Sequence, residues 1–554
     1  MLGRILPAFE WLRAYRKEDW RKDLAAGLIV AVMLVPQAMA YAALAGLPPV
    51  IGLYASTVPL FIYTIFGSSR HLAVGPVAII SMIIYAQCRE IAAPGSPEYT
   101  EAVLALCVMV GLLQVVMGLF RAGFMVNFLS HAVISGLTSA AAILIALSQM
   151  KHVLGVPLHS HHSIIGTLAE LAARLHEVHP PTLLFGLAGT GALLLLKKRW
   201  PRLPSALLLV IAATAAVRLF RLDLAGIAIV GEVPRGLPRL LLPGLDPGLV
   251  PALLPAALII VLVGFVESIS ISQLIAARER YRVDANQELR ALGMANLAAA
   301  ITGGYPVTGG FSRTAVNYQA GARTGMASFI TAALILLTLL FFTPLFHYLP
   351  NAVLGAIVIA AVVDLVDVRG AIALFRLKRS SGLSLLLTFI VTLSFGIEIG
   401  VFSGTVFALL VFIWRSAHPH TAELGYVNPG LGFRNIKRYP EAATFPGVFI
   451  LRVDASLYFA NMAFLEDLLR RTVHEKPGLR WILMDFSGVN DIDGCAVQSF
   501  GALIDAYQDA GITFALAAVK GPVRDVLERS AWPALLGKRM EYASVQQALD
   551  AILE

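Results

Sequence analysis

The stretch 303-GGYPVTGGFSRTAVN-317 sets an arginine, Arg313, in a glycine-rich turn between long apolar runs. Extended residues come first, Gly309 and Gly310 follow, and Phe311 opens a segment that reads as a helix. A second stretch, 70-RHLAVGPVAIIS-81, repeats the order: a few extended residues, Gly75-Pro76, then an apolar helix from Val77. In lipid the backbone N–H and C=O groups must be satisfied within the protein, so broken backbone at that depth is tolerated only where it is buried or lines a cavity. Each stretch lies third in its half of the chain, counting seven spans per half. Interrupted segments at matching positions of two halves point to a transporter's midplane site.

The remaining sequence agrees with a membrane setting. Of 554 residues, 58% are hydrophobic and 14% charged, against about 45–50% and about 25% in soluble domains. Fourteen apolar runs recur between residues 24 and 416, several of them short for a full crossing. The fold class expected is a polytopic α-helical membrane protein. Residues 1–23 read as a polar cytoplasmic segment rather than a removable signal peptide. With the N-terminus inside, every second loop is cytoplasmic, and these loops hold Arg70, Arg121, Lys197, Lys198, Arg199, Arg278, Arg323, Arg376 and Lys378. Four arginines between 218 and 239 break the rule, but both termini inside a cell membrane, a bacterial inner membrane first, is the best fit.

The segment 148–180 holds six histidines, His152, His159, His161, His162, His176 and His179, and reads as a solvated outer loop, with metal binding as the alternative. Cys88, Cys107 and Cys495 have no metal-ligand spacing, and their odd count argues against a disulfide framework.

The net charge of +8 hides a division. Residues 440–554 carry 10 Lys+Arg and 15 Asp+Glu, a charge of −5, which leaves +13 for the rest. Excess cation in a membrane protein marks its cytoplasmic loops, so no nucleic-acid partner is expected. Residues 417–439 read as a linker. Beyond them, 447-GVFILRVDASLYFAN-461 and 512-ITFALAAVK-520 read as strands, 480-RWILMDFSGVNDIDGCAVQSF-500 as a strand, loop and helix, and 462–473, 522–530 and 543–553 as helices. Strands alternating with helices predict a small cytoplasmic α/β domain.

The two broken segments suit an anion. Helix N-termini facing each other present unpaired N–H groups and positive dipole ends. Ser312 and Thr314 add hydroxyls, Gly309 and Gly310 let the backbone approach a ligand, and Arg313 supplies a fixed positive field. In the first span Pro36 predicts a kink, Gln37 offers an amide, and Tyr41 lies one turn further on the same face. In 263-VGFVESISIS-272, Glu267 is an intramembrane carboxylate, a functional-site hypothesis by default. Each residue also has a structural reading. The glycines and prolines serve close packing, Gln37 a helix–helix hydrogen bond, Tyr41 packing, and Glu267 an ion pair with Arg313 or Arg278.

At these residues the chain resembles the SulP family of sulfate permeases and related anion transporters. The resemblance rests on 46-GLPPVIGLYAS-56, 67-GSSRHLAVGPVAIIS-81, 284-DANQELRALGMANLAAAITGGYPVTGGFSRTAVNYQAGARTG-325 and 480-RWILMDFSGVNDIDG-494, in family order across nearly the whole chain. It implies fourteen spans as two inverted seven-span repeats, about 24–219 and 251–416, divided into a core and a gate. It also implies a cytoplasmic STAS domain over 440–554, a homodimer, and alternating access of the elevator kind. Carried over residue by residue, it places Gln37, Tyr41, Val77, Glu267, Ser312 and Arg313 at the substrate, with Gly310 and Phe311 beside them. Val77 stands where several animal relatives have an aromatic, which implies a wider pocket. Glu267 resembles the carboxylate of proton-coupled members. The turn 493-DGCA-496 has Cys495 where anti-sigma antagonists of this fold have a phosphorylatable serine, so no phosphoserine switch is expected.

The expected function is proton-coupled sulfate uptake, with C4-dicarboxylate or bicarbonate symport, or chloride exchange, behind it. Nucleotide-binding loop, catalytic triad and metal signature are absent from the sequence, so neither an enzyme nor a cofactor is expected. A channel and a sensor reporting through the tail are the other classes considered.

Overall fold

The computed structural model describes residues 6–124, 130–157, 164–200, 204–238, 240–241, 244 and 246–554. Two compact units emerge, Met1–Ala408 and Leu409–Glu554.

In the first unit every one of the fourteen apolar runs contains helix. Among the elements are α1 (Lys17–Leu44), β1 (Val74–Gly75), α2 (Ala78–Cys88), α3 (Pro97–Leu119), α4 (His131–Ser148), α5 (Val250–Arg278), α6 (Ala285–Ile301), β2 (Thr308–Gly309), α7 (Phe311–Gln319), α8 (Met326–Leu337), α9 (Arg379–Phe395) and α10 (Ile397–Ala417). Among the described residues, eight helical stretches are long and apolar enough to cross a membrane unaided. The run 49–66 is two helices, Pro49–Tyr54 and Val58–Phe66, and α1 continues through Pro36.

The segment 148–180 departs from the expected loop. It carries helices Met150–Leu154 and Ile164–Ala173 and a turn of 3-10 helix at Leu175–Glu177. Ile164, Ile165, Leu168 and Leu171 recur at helical spacing, a period that the neighbouring histidines obscure. His159, His161 and His162 lie outside the described residues, and His179 Nδ1 is 2.7 Å from Thr182 Oγ1.

Helix packing depends on small residues, as expected where lipid removes the hydrophobic drive between helices. At the crossing of α3 and α6, a Cβ on Gly111 would lie 2.8 Å from Leu297 Cγ, and one on Gly293 2.7 Å from the Gly111 carbonyl oxygen. Two buried carboxylates then tie down the chain around the broken segments. Glu288 on α6 accepts from the Tyr63 hydroxyl (2.6 Å), the Ser68 N–H and hydroxyl (2.7 and 2.8 Å) and the Ser69 N–H (3.0 Å), just ahead of β1. Asp23 on α1 accepts from the Arg323 N–H (2.7 Å) and from the Thr324 N–H and hydroxyl (3.2 and 2.6 Å), just beyond α7.

The second unit is an α/β domain on a five-stranded sheet of order β4-β3-β5-β6-β7. Its strands are β3 (Thr421–Tyr426), β4 (Phe433–Asn435), β5 (Val448–Val453), β6 (Trp481–Asp485) and β7 (Thr513–Ala517). Strands β5, β6 and β7 run parallel, while β3 pairs antiparallel with both β4 and β5. The stretch 417–439 is therefore no linker: it supplies β3 and β4. β3 is as long as β5 but includes Glu423 and Gly425, β4 has three residues, and neither has the apolar run that marks β5 to β7. One sheet face packs Phe449, Leu451 and Met484 against α11 (Phe459–Glu475) and α12 (Gly494–Asp509), and the other packs Ile450, Leu483 and Ala515 against α13 (Val545–Leu553). Cys495 is exposed at the start of α12, where Asp493 caps the helix by accepting from the Ala496 N–H at 2.7 Å.

Asp454 follows β5 and is held by the Arg452 guanidinium (2.7 and 3.2 Å) and His420 Nδ1 (2.8 Å). Partial burial pushes its carboxyl up, but these partners hold it below the ordinary aspartate value. The native state thus binds fewer protons in the acid range than the unfolded chain. The stabilisation is complete above the unfolded value of about 3.9 and is lost as pH falls through the native value. Asp454→Asn is expected to lower the unfolding temperature of this unit more at pH 6 than at pH 3. An equal shift at both would contradict the assignment.

Candidate functional site

Strands β1 and β2 pair antiparallel, Val74 opposite Gly309 and Gly75 opposite Thr308. Each strand runs directly into a short helix. Val77 is the N-cap of α2 and Gly310 that of α7, and neither helix has a side-chain cap on its first N–H groups. Two helix N-termini are thus brought together by one small ladder, each with its positive end toward the ladder.

Four further bonds stitch α7 to the first broken segment. The Gly310 N–H donates to the Ala73 carbonyl (3.1 Å), and the Ala73 N–H donates to Thr314 Oγ1 (3.1 Å). Arg313 donates to the Pro76 carbonyl through one terminal nitrogen (2.7 Å), and Asn317 Nδ2 donates to the His71 carbonyl (2.8 Å). Behind β2, the Gly309 N–H donates to Ser268 Oγ on α5 (2.9 Å), and Thr308 Oγ1 donates to the Gly264 carbonyl (2.7 Å). Asn296 on α6 brackets Val307, accepting from its N–H (2.7 Å) and donating to its carbonyl (3.1 Å), while its amide also donates to Gln114 Oε1 (2.8 Å).

Arg313 is 2% exposed, and its Nε and second terminal nitrogen have no hydrogen-bond partner among the described residues. The Oε1 of buried Gln37 is in the same position. The Tyr41 hydroxyl lies within electrostatic reach of Arg313 and Glu267, as the Tyr305 hydroxyl does of Arg313 and Tyr41. Partly buried Glu267 lies by the Phe311 backbone N–H and in the field of Arg313. Val77 is buried, whereas Phe311 and Ser312 are exposed at the start of α7. Arg313, Tyr41 and Glu267 are therefore neighbours, with Val77 and Gly310 at the two helix starts.

Three expectations change. Thr314 is committed to the Ala73 N–H and does not stand as a free hydroxyl. Gly309 makes room for Leu72, since a Cβ there would lie 2.5 Å from Leu72 Cδ1. Gly310 makes room for Arg313, whose guanidinium carbon would be 2.8 Å from an added Cβ. These glycines admit side chains of the protein, Leu72 at one and Arg313 at the other. Ser268, Thr308, Asn296 and Asn317 were not among the expected site residues. The isolated amide of Asn296 in an apolar run was the available signal, because an unpaired amide at that depth is costly.

Residues 20–388 match the Sulfate permease family, and residues 439–547 match the STAS domain. The "Probable sulfate transporter 4.2" of Arabidopsis thaliana is 39% identical over 99% of this chain and 84% of its own length. "Sulfate transporter 4.1, chloroplastic", from the same plant, is 38% identical over 100% and 83%. Among solved structures, the murine Solute Carrier 26 family member A9 anion transporter in the inward-facing state superposes with a TM-score of 0.92 at 25% identity, covering 99% of this chain and 94% of that one. The transmembrane domain of a cyanobacterium bicarbonate transporter, BicA, covers 71% of this chain and 98% of its own with a TM-score of 0.61 at 24% identity.

Thr314→Val removes the acceptor and leaves the Ala73 N–H buried and unpaired, a loss of about 1–3 kcal/mol. Thermal unfolding in detergent is expected to show it, with Thr314→Ser restoring the wild-type value. A Val variant as stable as wild type would mean that this bond does not brace the segment.

Proposed function

The chain belongs to the sulfate permease family, and from that membership we propose that it carries a small anion, sulfate first, into the cell by proton-coupled secondary transport. The observation that carries the reading is the buried Arg313 guanidinium, with two nitrogens unpaired among the described residues, beside two helix N-termini joined by a β-ladder. Buried cationic N–H groups are costly unless something satisfies them, and an anion in that space does so. Gln37, Tyr41, Val77, Gly310, Phe311, Ser312 and Arg313 form the substrate site in this reading. Sulfate is placed first because the two Arabidopsis relatives named above bear sulfate-transporter names. C4-dicarboxylates and bicarbonate are the competing substrates in the same assay.

Coupling is assigned to Glu267. An ionised carboxylate near the midplane is costly, and an anion brought beside it adds repulsion across a low dielectric. Protonation relieves both, so proton and anion bind with positive cooperativity, each raising the other's affinity by one factor. Arg313 keeps its charge and attracts the anion without carrying the proton. The cycle is alternating access of the elevator kind in a homodimer, with both termini cytoplasmic. The STAS domain regulates or assembles and takes no part in selecting the anion.

Uptake of labelled sulfate into proteoliposomes is expected to rise as external pH falls and to accumulate under an inward proton gradient. Glu267→Gln, a lasting mimic of the protonated form, keeps anion exchange and loses uphill accumulation. Accumulation at the wild-type level in this variant would remove Glu267 from coupling. Gly310→Trp drives a large ring into the space of the Arg313 guanidinium and is expected to abolish sulfate binding while the protein still reaches the membrane. Normal transport by that variant would place the anion elsewhere.

A further inference from the structure

A cavity of about 550 Å³ lies at the opposite end of α2 from the broken segment. The helix lines the cavity from Met82 to Gln87, so at 1.5 Å per residue the cavity lies roughly 6–14 Å along the helix from its N-terminus. Its walls come from two sets of elements: α1 and α2 on one side, and α4, α9 and α10 with the helices Met150–Leu154 and Ile164–Ala173 on the other. Leu144, Phe395 and Ile397 provide apolar wall. At one side stands the Tyr85 ring, with the Arg89 guanidinium carbon 5.7 Å and the Lys151 ammonium 5.8 Å from its centroid. Arg89 also lies 3.5 Å from Glu90, and with Lys151 these are the charged groups among the described residues that line the cavity.

We propose that this cavity binds a small organic monocarboxylate with an apolar body. Its carboxylate faces Lys151 and Arg89, and its body lies against Leu144, Phe395 and Ile397. The volume is within the range of about 300–1,000 Å³ found for small-molecule sites, which combine apolar walls with a few convergent polar groups. A strongly hydrated inorganic dianion is a poor fit, because apolar wall replaces none of the hydrogen bonds that it would lose. A ligand here touches both sets of helices and holds them together. Its effect as a brake on transport rests on the alternating movement proposed above, whereas its binding does not.

Benzoate is the probe. With the full chain in lipid nanodiscs, labelled benzoate is expected to bind saturably at millimolar concentration or below, with saturating sulfate leaving its affinity unchanged. Lys151→Gln is expected to weaken binding about tenfold, the equivalent of about 1.4 kcal/mol, and Ile397→Trp to abolish it by filling the space. Ala86→Leu fills the same cavity from α2 and serves if the tryptophan variant does not fold, with thermal unfolding as the check. Displacement of benzoate by sulfate would overturn the proposal. So would equal binding by wild type, Lys151→Gln and a folded cavity-filled variant, or no saturable binding at millimolar concentration. In proteoliposomes benzoate is expected to slow sulfate uptake without changing its KM. Absence of sulfate uptake altogether would count against the transport reading, and the binding measurements would still decide this one.

Discussion

Residues 72–77 and 304–310 have left helical geometry in the middle of an apolar bundle, and their backbone groups must still be paired. Much of the unit serves that need. The two segments meet one demand by pairing with each other at Val74–Gly309 and Gly75–Thr308. Ser268 and Asn296 meet another from α5 and α6, and Thr314 and Asn317 meet a third from the helix that one break releases. Seen this way, the polar residues of the core are mostly occupied. They replace the hydrogen bonds that a continuous helix would have made for itself.

That accounting separates two kinds of buried polar group. Glu288 and Asp23 are charged-type side chains at full burial, yet each collects three or four neutral donors and anchors the chain at an end of a broken segment. Among the described residues Arg313 has only the Pro76 carbonyl for five potential N–H bonds. Gln37 likewise keeps a bare amide oxygen among the described residues. Groups of the first kind are understood without a ligand, and groups of the second are not. Burial alone would have ranked all four together.

The broken segments, the helices and the α/β tail were legible because each leaves a local mark: Gly and Pro at fixed offsets, runs of apolar length, a change of period after Arg415. Arg313 was legible for a similar reason, as a permanent cation in an apolar context. What Thr314, Gly309 and Gly310 do was not legible. Their roles depend on which atom of a distant segment lies opposite, and composition is silent on that. A hydroxyl near a site and a hydroxyl spent on a backbone N–H look the same in sequence. Strands β3 and β4 were missed for a different reason. β4 is a three-residue edge strand and β3 carries Glu423 and Gly425 among its six residues, so their identity comes from pairing, β4 with β3 and β3 with β5, and not from their own propensity.

The Ala73–Thr314 bond spans 241 residues, and this separation governs how the molecule is made. A ribosome adding about 5–20 residues per second needs on the order of ten seconds or more between the two partners. Through that interval the first broken segment is in place without β2, α7 or the α6 amide that completes the arrangement. Its N–H and C=O groups must remain in water, in the insertion machinery, or in a temporary helix that later unwinds. The first half therefore cannot mature alone, and the final docking of the second half is a long-range closure of the kind that folds slowly. A lesion in the second segment would consequently surface as a defect of biogenesis in the first, before any anion had been encountered.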